Sequence, residues 1–138
     1  MFKKYIVFCL FIISSQLLVA QNNNIKQDSI ENVFTKVEQE AYFPGGAEKW
    51  KKYLQKNLKI NVPIKNKAPN GIYPVVVKFI VSKDGTITNI IPESNYGFGM
   101  EEEVIRILKK GPNWIPAQQN GKIVNAYRRQ PITFVISN

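Results

Sequence analysis

Two stretches of the chain repeat their apolar residues every three to four positions, which is the spacing of one face of an α-helix. In the first stretch these residues are Ala47, Trp50, Leu54 and Leu58. In the second they are Met100, Val104, Ile107 and Leu108. We therefore predict one helix from Ala47 to about Leu58 and another over residues 100–110. Gly111 and Pro112 end the second helix, because glycine closes helices and proline cannot continue them.

Three other stretches carry the β-branched and aromatic residues that favour strands. Residues 75–81 and 86–91 flank Asp84-Gly85, a dipeptide typical of a hairpin turn, so they predict two antiparallel strands. Pro74 fits only at the start of the first strand. Residues 123–136 predict a final strand, and Pro131 favours an edge position for it because proline lacks a backbone donor. The order predicts an α+β domain of two helices packed on a three-stranded antiparallel sheet (α-β-β-α-β).

Two connections join these elements. Residues 61–70 are polar and contain Pro63, so we interpret them as a link from the first helix to the first strand. The stretch GPNWIPAQQNGKIV links the second helix to the final strand. In it, Trp114 is expected to plug the core, Pro116 to fix the direction of the chain, and Asn120-Gly121 to form a turn.

The first 20 residues have the layout of a secretory signal peptide. Lys3 and Lys4 precede an apolar run, three polar residues interrupt it, and Ala20 provides a small residue at a cleavage point. We predict a cleaved signal peptide over residues 1–20, and a retained membrane anchor is the alternative. Residues 21–41 are predicted to be a polar tether, with an added edge segment near residues 33–37, and residues 42–138 to be the folded domain.

The side chains available for catalysis argue against most enzyme classes. The chain has no histidine, and its single cysteine, Cys9, lies inside the predicted signal peptide. This excludes Ser-His-Asp and Cys-His catalysis and clusters of His and Cys around a metal. Glu101, Glu102 and Glu103 suit the positive end of a helix dipole, although a cation site or a carboxylate-using hydrolase are the other interpretations. We expect no catalytic residue, no metal site and no cofactor.

The formal net charge of +9 indicates anionic surroundings. We do not expect nucleic acid as a partner, because the aromatic residues are not interleaved with the basic ones. Five lysines fall on or just after the first predicted helix, at Lys49, Lys51, Lys52, Lys56 and Lys59. They form either a solvated helix face or a surface that attracts an anionic envelope component or an acidic partner.

A short antiparallel sheet has exposed edges, and an edge can accept a strand from a partner peptide. The backbone supplies much of the affinity in that mode, so no signature side chains are needed. We therefore predict a non-enzymatic protein-binding domain.

The ordered segments YFPGGAEKWKKYLQKNL, VVVKFIVSKDGTITNI, EEEVIRILKKGPNWIPAQQNGKIV and PITFVI resemble the TonB C-terminal domain family, the family of energy transducers. The resemblance covers residues 43–136, and Pro131 also fits it. The residues that carry it are Phe43, Pro44, Gly45, Gly46, Asp84, Gly85, Trp114, Pro116, Ala117, Asn120, Gly121 and Lys122.

This resemblance implies a periplasmic domain that binds segments of outer-membrane TonB-dependent transporters by strand addition. Inner-membrane motor proteins then supply the energy for transmembrane transport. On this chain, the resemblance assigns partner binding to the final strand. The residues implied are Ile123, Val124, Asn125, Ala126, Tyr127, Arg128, Arg129, Gln130, Ile132 and Phe134.

The chain departs from the family pattern in its tether. The tether has about 20 residues and no proline, so it spans at most about 70 Å when fully stretched, whereas family members have a long proline-rich spacer. A freestanding exported or anchored envelope protein, not coupled to the motor, is therefore the alternative function, and a homodimer is a further partner option. The expected location is the periplasm after cleavage, or the inner membrane if the signal is retained.

Overall fold

The computed structural model describes residues 32–137. The predicted signal peptide and the first part of the predicted tether lie outside the described residues. Glu31–Asn138 form one compact unit. Its elements are α1 (Gly46–Asn57), α2 (Asn61–Lys65), β1 (Gly71–Val81), β2 (Ile87–Pro92), α3 (Met100–Lys110), β3 (Ala117–Gln119), β4 (Lys122–Val124) and β5 (Ala126–Ile136).

The main sheet has three antiparallel strands in the order β2-β1-β5. Strand β1 pairs with β5 without interruption, from Gly71 opposite Ile136 to Val81 opposite Ala126. Strands β1 and β2 form the predicted hairpin around Asp84-Gly85. The predicted α+β architecture with a three-stranded antiparallel sheet is confirmed, and β5 lies at an edge of that sheet.

The hydrophobic core lies between this sheet and α3. Because strand side chains alternate between faces, every second residue of β1 from Val75 to Val81 points inward and is fully buried. The apolar face of α3 covers these side chains through Met100, Val104 and Leu108. Burying each such side chain stabilises the fold by about 1.5–3 kcal/mol relative to leaving it exposed. All residues of the core cluster lie within Glu31–Asn138, so this unit carries its own core.

Helix α2 lies in the stretch that the sequence indicated as a polar connection. Pro63, which favoured that interpretation, is the third residue of α2 and is buried. The first turn of a helix tolerates proline because its N–H groups have no acceptor within the helix. The carbonyl oxygen of Pro63 accepts a hydrogen bond from Ala68 N over 2.9 Å, which closes the end of this short helix.

Strand β1 begins at Gly71, four residues before the predicted start, and contains Pro74. Strand β2 pairs with β1 only from Val77 onward, so Pro74 has a strand neighbour on one side only. The N–H of Val76 donates to Ser94 Oγ over 3.2 Å, on the side away from β5. Pro74 directs its nitrogen to the same side, because backbone groups alternate along a strand, and its missing N–H therefore removes no ladder bond.

The single final strand predicted over residues 123–136 is wrong, because the structure divides it into β4 and β5 at Asn125. Strand β4 pairs with β3 through the Asn120-Gly121 turn, where φ is 51° and 71°. These left-handed values suit the tight turn of a two-residue hairpin. The side chain of Asn125 is buried, and its Oδ1 accepts a hydrogen bond from Lys83 N over 2.8 Å.

Candidate functional site

Strand β5 exposes one backbone edge, because its only strand neighbour in the main sheet is β1. Tyr127 N donates to Phe34 O over 2.9 Å on the side away from β1. Alternate residues of a strand direct their backbone groups to the same side, so Arg129, Thr133 and Val135 also present an N–H and a C=O to this edge. Pro131 presents a C=O alone. Within residues 32–137, Phe34 forms the only β-bridge on this side of β5.

The segment before α1 occupies the beginning of the edge. Phe34 bridges Ala126 in parallel, and Phe34 N donates to Asn125 O over 2.9 Å. Further along, Gln39 and Gln118 exchange two backbone hydrogen bonds of 3.2 and 2.9 Å, which places the segment beside β3. Residues 33–37, where the sequence indicated an added edge segment, include this bridge. The open part of the β5 edge therefore covers residues 129–135.

Arg128 is a partly buried cation beside this edge. Its side chain is 24% exposed and forms an ion pair with Glu40, whose side chain is 67% exposed. Its Nη2 also lies 3.5 Å from Gln130 Oε1. Among the described residues, none accepts a hydrogen bond from its buried Nε. Burial lowers the pKa of the Arg128 guanidinium from its usual value, so this cation is poorly solvated and has an unused donor.

An aromatic cleft of about 220 Å³ lies on the helix side of the same edge. Its lining residues come from the segment before α1, from α1 itself, from the loop after α3 and from β5. They are Tyr42, Phe43, Gly46, Ala47, Trp50, Trp114, Arg128 and Gln130. Trp50 and Trp114 meet edge to face, with ring centroids 5.7 Å apart, and Phe43 lies 5.2 Å from Trp50. These packed rings give the cleft a fixed apolar wall.

Arg129 lies on the opposite face of the sheet from Arg128, because neighbouring strand residues point to opposite faces. Its Nε donates to Glu93 Oε2 over 2.7 Å. This hydrogen bond lowers the pKa of Glu93 below its usual value and raises the pKa of Arg129. Arg128 and Arg129, both predicted to bind the partner, therefore lie on different faces of the sheet. Of the two, only Arg128 lines the aromatic cleft.

The structure distributes the predicted partner-binding residues over three settings. Ile123 and Val124 lie in β4, and Asn125 lies at the break between strands. The side chains of Ile132 and Phe134 are buried in the core, and both residues direct their backbone groups to β1. The others, Ala126, Tyr127, Arg128, Arg129 and Gln130, form the first half of β5. Thr133 lies within the predicted stretch but is not among the predicted residues, and Val135 lies beyond that stretch; the backbone groups of both belong to the open edge.

Several of the motif residues shape the wall of the cleft. Phe43 is buried between Trp50 and Trp114, and Gly45 and Gly46 adopt positive φ angles of 83° and 76° where α1 begins. Gly85 has a φ of 85°, and Trp114 N donates to Gly85 O over 2.8 Å. Ala117 is fully buried in β3. The motif therefore holds the hairpin turn against the loop that carries Trp114.

Two of the three glutamates at the start of α3 accept hydrogen bonds within the domain. Glu101 is buried and accepts hydrogen bonds from Tyr96 N, Gly97 N and Ser94 Oγ. Glu103 accepts hydrogen bonds from Arg106 and from Lys59 N. Burial favours the neutral form of Glu103, yet these hydrogen bonds outweigh it and lower the pKa below its usual value. Glu102, the exposed member, points to solvent.

Residues 32–137 contain no group of His, Cys, Asp or Glu side chains arranged to hold a metal ion. None of the helices in this part of the chain has the length and apolar character needed to cross a bilayer.

One comparison with known proteins found a match. The model of the family described as Gram-negative bacterial TonB protein C-terminal matches residues 74–136, which run from within β1 to the end of β5. The search of curated proteins and the search of solved structures returned no match. The family is a non-enzymatic protein-interaction domain of envelope proteins. Residues 74–136 therefore match the TonB C-terminal domain family, the family that the chain resembles in its sequence motifs.

Proposed function

We propose that the domain binds a segment of an outer-membrane TonB-dependent transporter by strand addition along the open edge of β5, as part of energy-coupled transport. The observation that carries the proposal is the open edge of residues 129–135 beside the aromatic cleft. Arg129, Thr133 and Val135 offer three N–H donors and three carbonyl acceptors there. The carbonyl of Pro131 also lies on this edge and accepts a hydrogen bond from Gln130 Nε2 over 3.2 Å. These groups supply affinity without requiring a particular partner sequence.

The cleft supplies selectivity in this proposal. A strand added to β5 directs every second side chain to the helix face of the sheet, where the cleft lies. A side chain that enters it contacts Trp50 and approaches the unused Nε of Arg128. An acidic side chain is favoured because it would pair with a cation that burial has left poorly solvated. The partner carboxylate would then replace Glu40, whose side chain is mostly exposed.

One observation favours the alternative of an envelope interaction protein that is not coupled to the motor. Residues 32–42 lie against the domain instead of extending away from it. If the signal ends at residue 20, 11 residues (21–31) separate it from the described residues, and 11 residues span at most about 37 Å when fully stretched. That reach is short for a domain that must connect two membranes.

Titration followed by NMR tests the proposal. Peptides from the N-terminal regions of outer-membrane transporters of the same genome are added to labelled residues 31–138. We expect saturable shifts concentrated at residues 129–135. No shift at millimolar peptide, or shifts confined to β2, would contradict strand addition along β5.

A pair of substitutions at Thr133 sharpens the test. Thr133→Pro removes an N–H from the open edge, whereas Thr133→Val keeps that N–H and changes only the exposed side chain. We expect peptide affinity to fall at least about fivefold in Thr133→Pro and to stay within about twofold in Thr133→Val, because a lost backbone hydrogen bond costs on the order of 1 kcal/mol or more. Equal affinities in the two variants would rule out backbone pairing at this position.

A further inference from the structure

A second surface combines lysines with exposed apolar side chains. Residues 46–67 contain seven lysines and one acidic residue, Glu48. All seven lysine side chains are exposed. This segment therefore carries a large part of the excess positive charge of the chain. The lysines are Lys49, Lys51, Lys52, Lys56, Lys59, Lys65 and Lys67.

Hydrogen bonds hold this segment antiparallel to α3. Tyr53 Oη donates to Ile107 O over 2.9 Å, and Arg106 Nη2 donates to Asn57 O over 2.8 Å. Lys59 N donates to Glu103 Oε1 over 2.7 Å. These contacts place the end of α1 and the start of α2 along one flank of α3, which is about 16 Å long.

The end of α3 adds cations to the same flank. Lys110 Nζ donates to Asn57 Oδ1 over 2.9 Å, so this lysine lies beside the end of α1. Lys109 is its exposed neighbour. Of the acidic residues beside these cations, Glu103 is buried and bound by Arg106, and the exposed Glu48 and Glu102 are outnumbered by the nine lysines. The flank is therefore a positively charged surface.

Apolar side chains protrude where this charged surface reaches α2. Ile60 and Ile64 are 66% and 47% exposed. Ile60 directly precedes α2 and has helical backbone angles, with φ −62° and ψ −19°. Because Ile60 and Ile64 are four residues apart, their side chains lie on the same side of this helical turn, while Pro63 is buried. We name Ile60 and Ile64 the apolar tip.

We propose that this surface docks on an anionic phospholipid bilayer, with the apolar tip in the headgroup region and the surrounding lysines on lipid phosphates. Apolar residues surrounded by lysines fit a bilayer interface, which offers negative charge at the headgroups and apolar depth below them. An acidic protein would satisfy the lysines but not require two exposed isoleucines on the same helical face. The lysines Lys59, Lys65 and Lys67 lie closest to the tip in sequence.

Flotation with lipid vesicles tests this proposal on residues 31–138, the unit that carries its own core. The probe is a vesicle of phosphatidylglycerol and phosphatidylcholine, and pure phosphatidylcholine is the neutral comparison. We expect binding to the anionic vesicles only, with an affinity that falls as salt rises, because salt screens exposed charges. Equal binding to both vesicle types, or none to either, would overturn the proposal.

Two pairs of variants distinguish binding through this surface from attraction by net charge and from nonspecific hydrophobic adsorption. The double variant Ile60→Ser, Ile64→Ser should weaken vesicle binding at least tenfold. The control is the double variant Ile72→Ser, Val135→Ser, which should not weaken it. Ile72 and Val135 are apolar residues of the sheet that are 70% and 68% exposed. Lys59→Gln with Lys65→Gln should weaken vesicle binding on the order of tenfold or more, whereas Lys36→Gln with Lys122→Gln should have a smaller effect. Circular dichroism confirms the fold of each variant.

Three results would count against the lipid assignment. The first is an equal loss of vesicle binding in the tip variant and in its sheet-face control. The second is an equal loss in the two lysine variants, which would indicate attraction by net charge alone. The third is tight binding of poly-glutamate that is retained in the Ile60→Ser, Ile64→Ser variant while vesicles fail to bind, which would identify an acidic polypeptide as the partner.

Discussion

The backbone N–H of Trp114 donates a 2.8 Å hydrogen bond to the carbonyl oxygen of Gly85. This bond joins the β1–β2 turn to the loop after α3, two segments separated by α3 in the sequence. Trp114 is buried and packs edge to face on Phe79, with ring centroids 5.2 Å apart. The turn thus fixes the position of a ring that forms a wall of the aromatic cleft, so we expect changes at Gly85 to affect both stability and peptide binding.

The Gly85→Ala substitution should be strongly destabilising. A Cβ at this position would lie 2.2 Å from Trp114 O, and the φ of 85° disfavours any side chain. We expect the free energy of unfolding, measured in urea, to fall by about 3 kcal/mol or more. The Trp114 backbone must move away from the new Cβ, and the alanine must adopt a strained φ angle. Gly121→Ala is the control, because it shares the positive φ but has no atom within 4 Å, and it should cost about 1–2 kcal/mol. Equal losses would contradict the close approach.

Glu101→Gln should destabilise the fold, while Glu102→Gln should not. The Glu101 carboxylate accepts three hydrogen bonds in a buried position, two of them from backbone N–H groups. An amide has one acceptor oxygen, so at least one buried donor loses its partner at a cost of about 1–3 kcal/mol. Glu102 is exposed, and its substitution should change the free energy of unfolding by less than about 0.5 kcal/mol. Similar losses in both variants would show that the buried hydrogen bonds of Glu101 contribute little.

The same glutamate variants test the hydrolase interpretation of the acidic cluster. Binding of partner peptide, measured by titration, should be unchanged in Glu102→Gln, because this side chain lies on α3 and not on the β5 edge. A hydrolytic activity that Glu102→Gln abolishes would contradict the binding function.

The sequence predicted the elements whose signals are local. Helix α3 runs from Met100 to Lys110 as expected, because its apolar period and the Gly111-Pro112 stop agree. Strand β5 lies at an edge, as Pro131 indicated. The break at Asn125 was not predictable, because apolar residues continue on both sides of it and the hydrogen bond that Asn125 accepts there comes from the distant Lys83.

The candidate site was less predictable than the fold. The sequence pointed to residues 123–134, but which backbone groups are free depends on the register between β1 and β5, and periodicity does not give that register. The placement of Arg128 and Arg129 on opposite faces follows from strand alternation, yet only the structure shows which face holds the aromatic cleft. Helix α2 was missed because Pro63 signals a break unless its position in a first turn is known.

Acid should weaken the fold through Glu103. Its side chain is 4% exposed, and its hydrogen bonds with Arg106 and Lys59 N lower its pKa in the folded state below the unfolded value of about 4.5. A depressed folded pKa contributes stability that is present above the unfolded pKa and is lost as pH falls through the folded pKa. We expect the free energy of unfolding to decrease as the pH is lowered below about 4.5. This decrease should be smaller in Glu103→Gln.

Glu102→Gln is the control for this pH dependence, because Glu102 is the exposed neighbour on the same helix. Urea unfolding measured at a series of pH values from 3 to 7 should give parallel curves for the parent and Glu102→Gln. A Glu103→Gln curve that also runs parallel to the parent would show that other carboxyl groups cause the acid sensitivity.

Arg128 should contribute to partner binding and not to stability. Its buried Nε lacks a partner among the described residues, and its ion pair with the exposed Glu40 is a weak compensation for desolvation. Arg128→Met keeps the apolar stem, so we expect the free energy of unfolding to stay within about 1 kcal/mol of the parent or to rise. Affinity for an acidic transporter peptide should fall at least tenfold, whereas Arg129→Met, on the opposite face, should change it less than threefold. A large loss of stability in Arg128→Met, or equal effects of both variants on binding, would contradict this assignment.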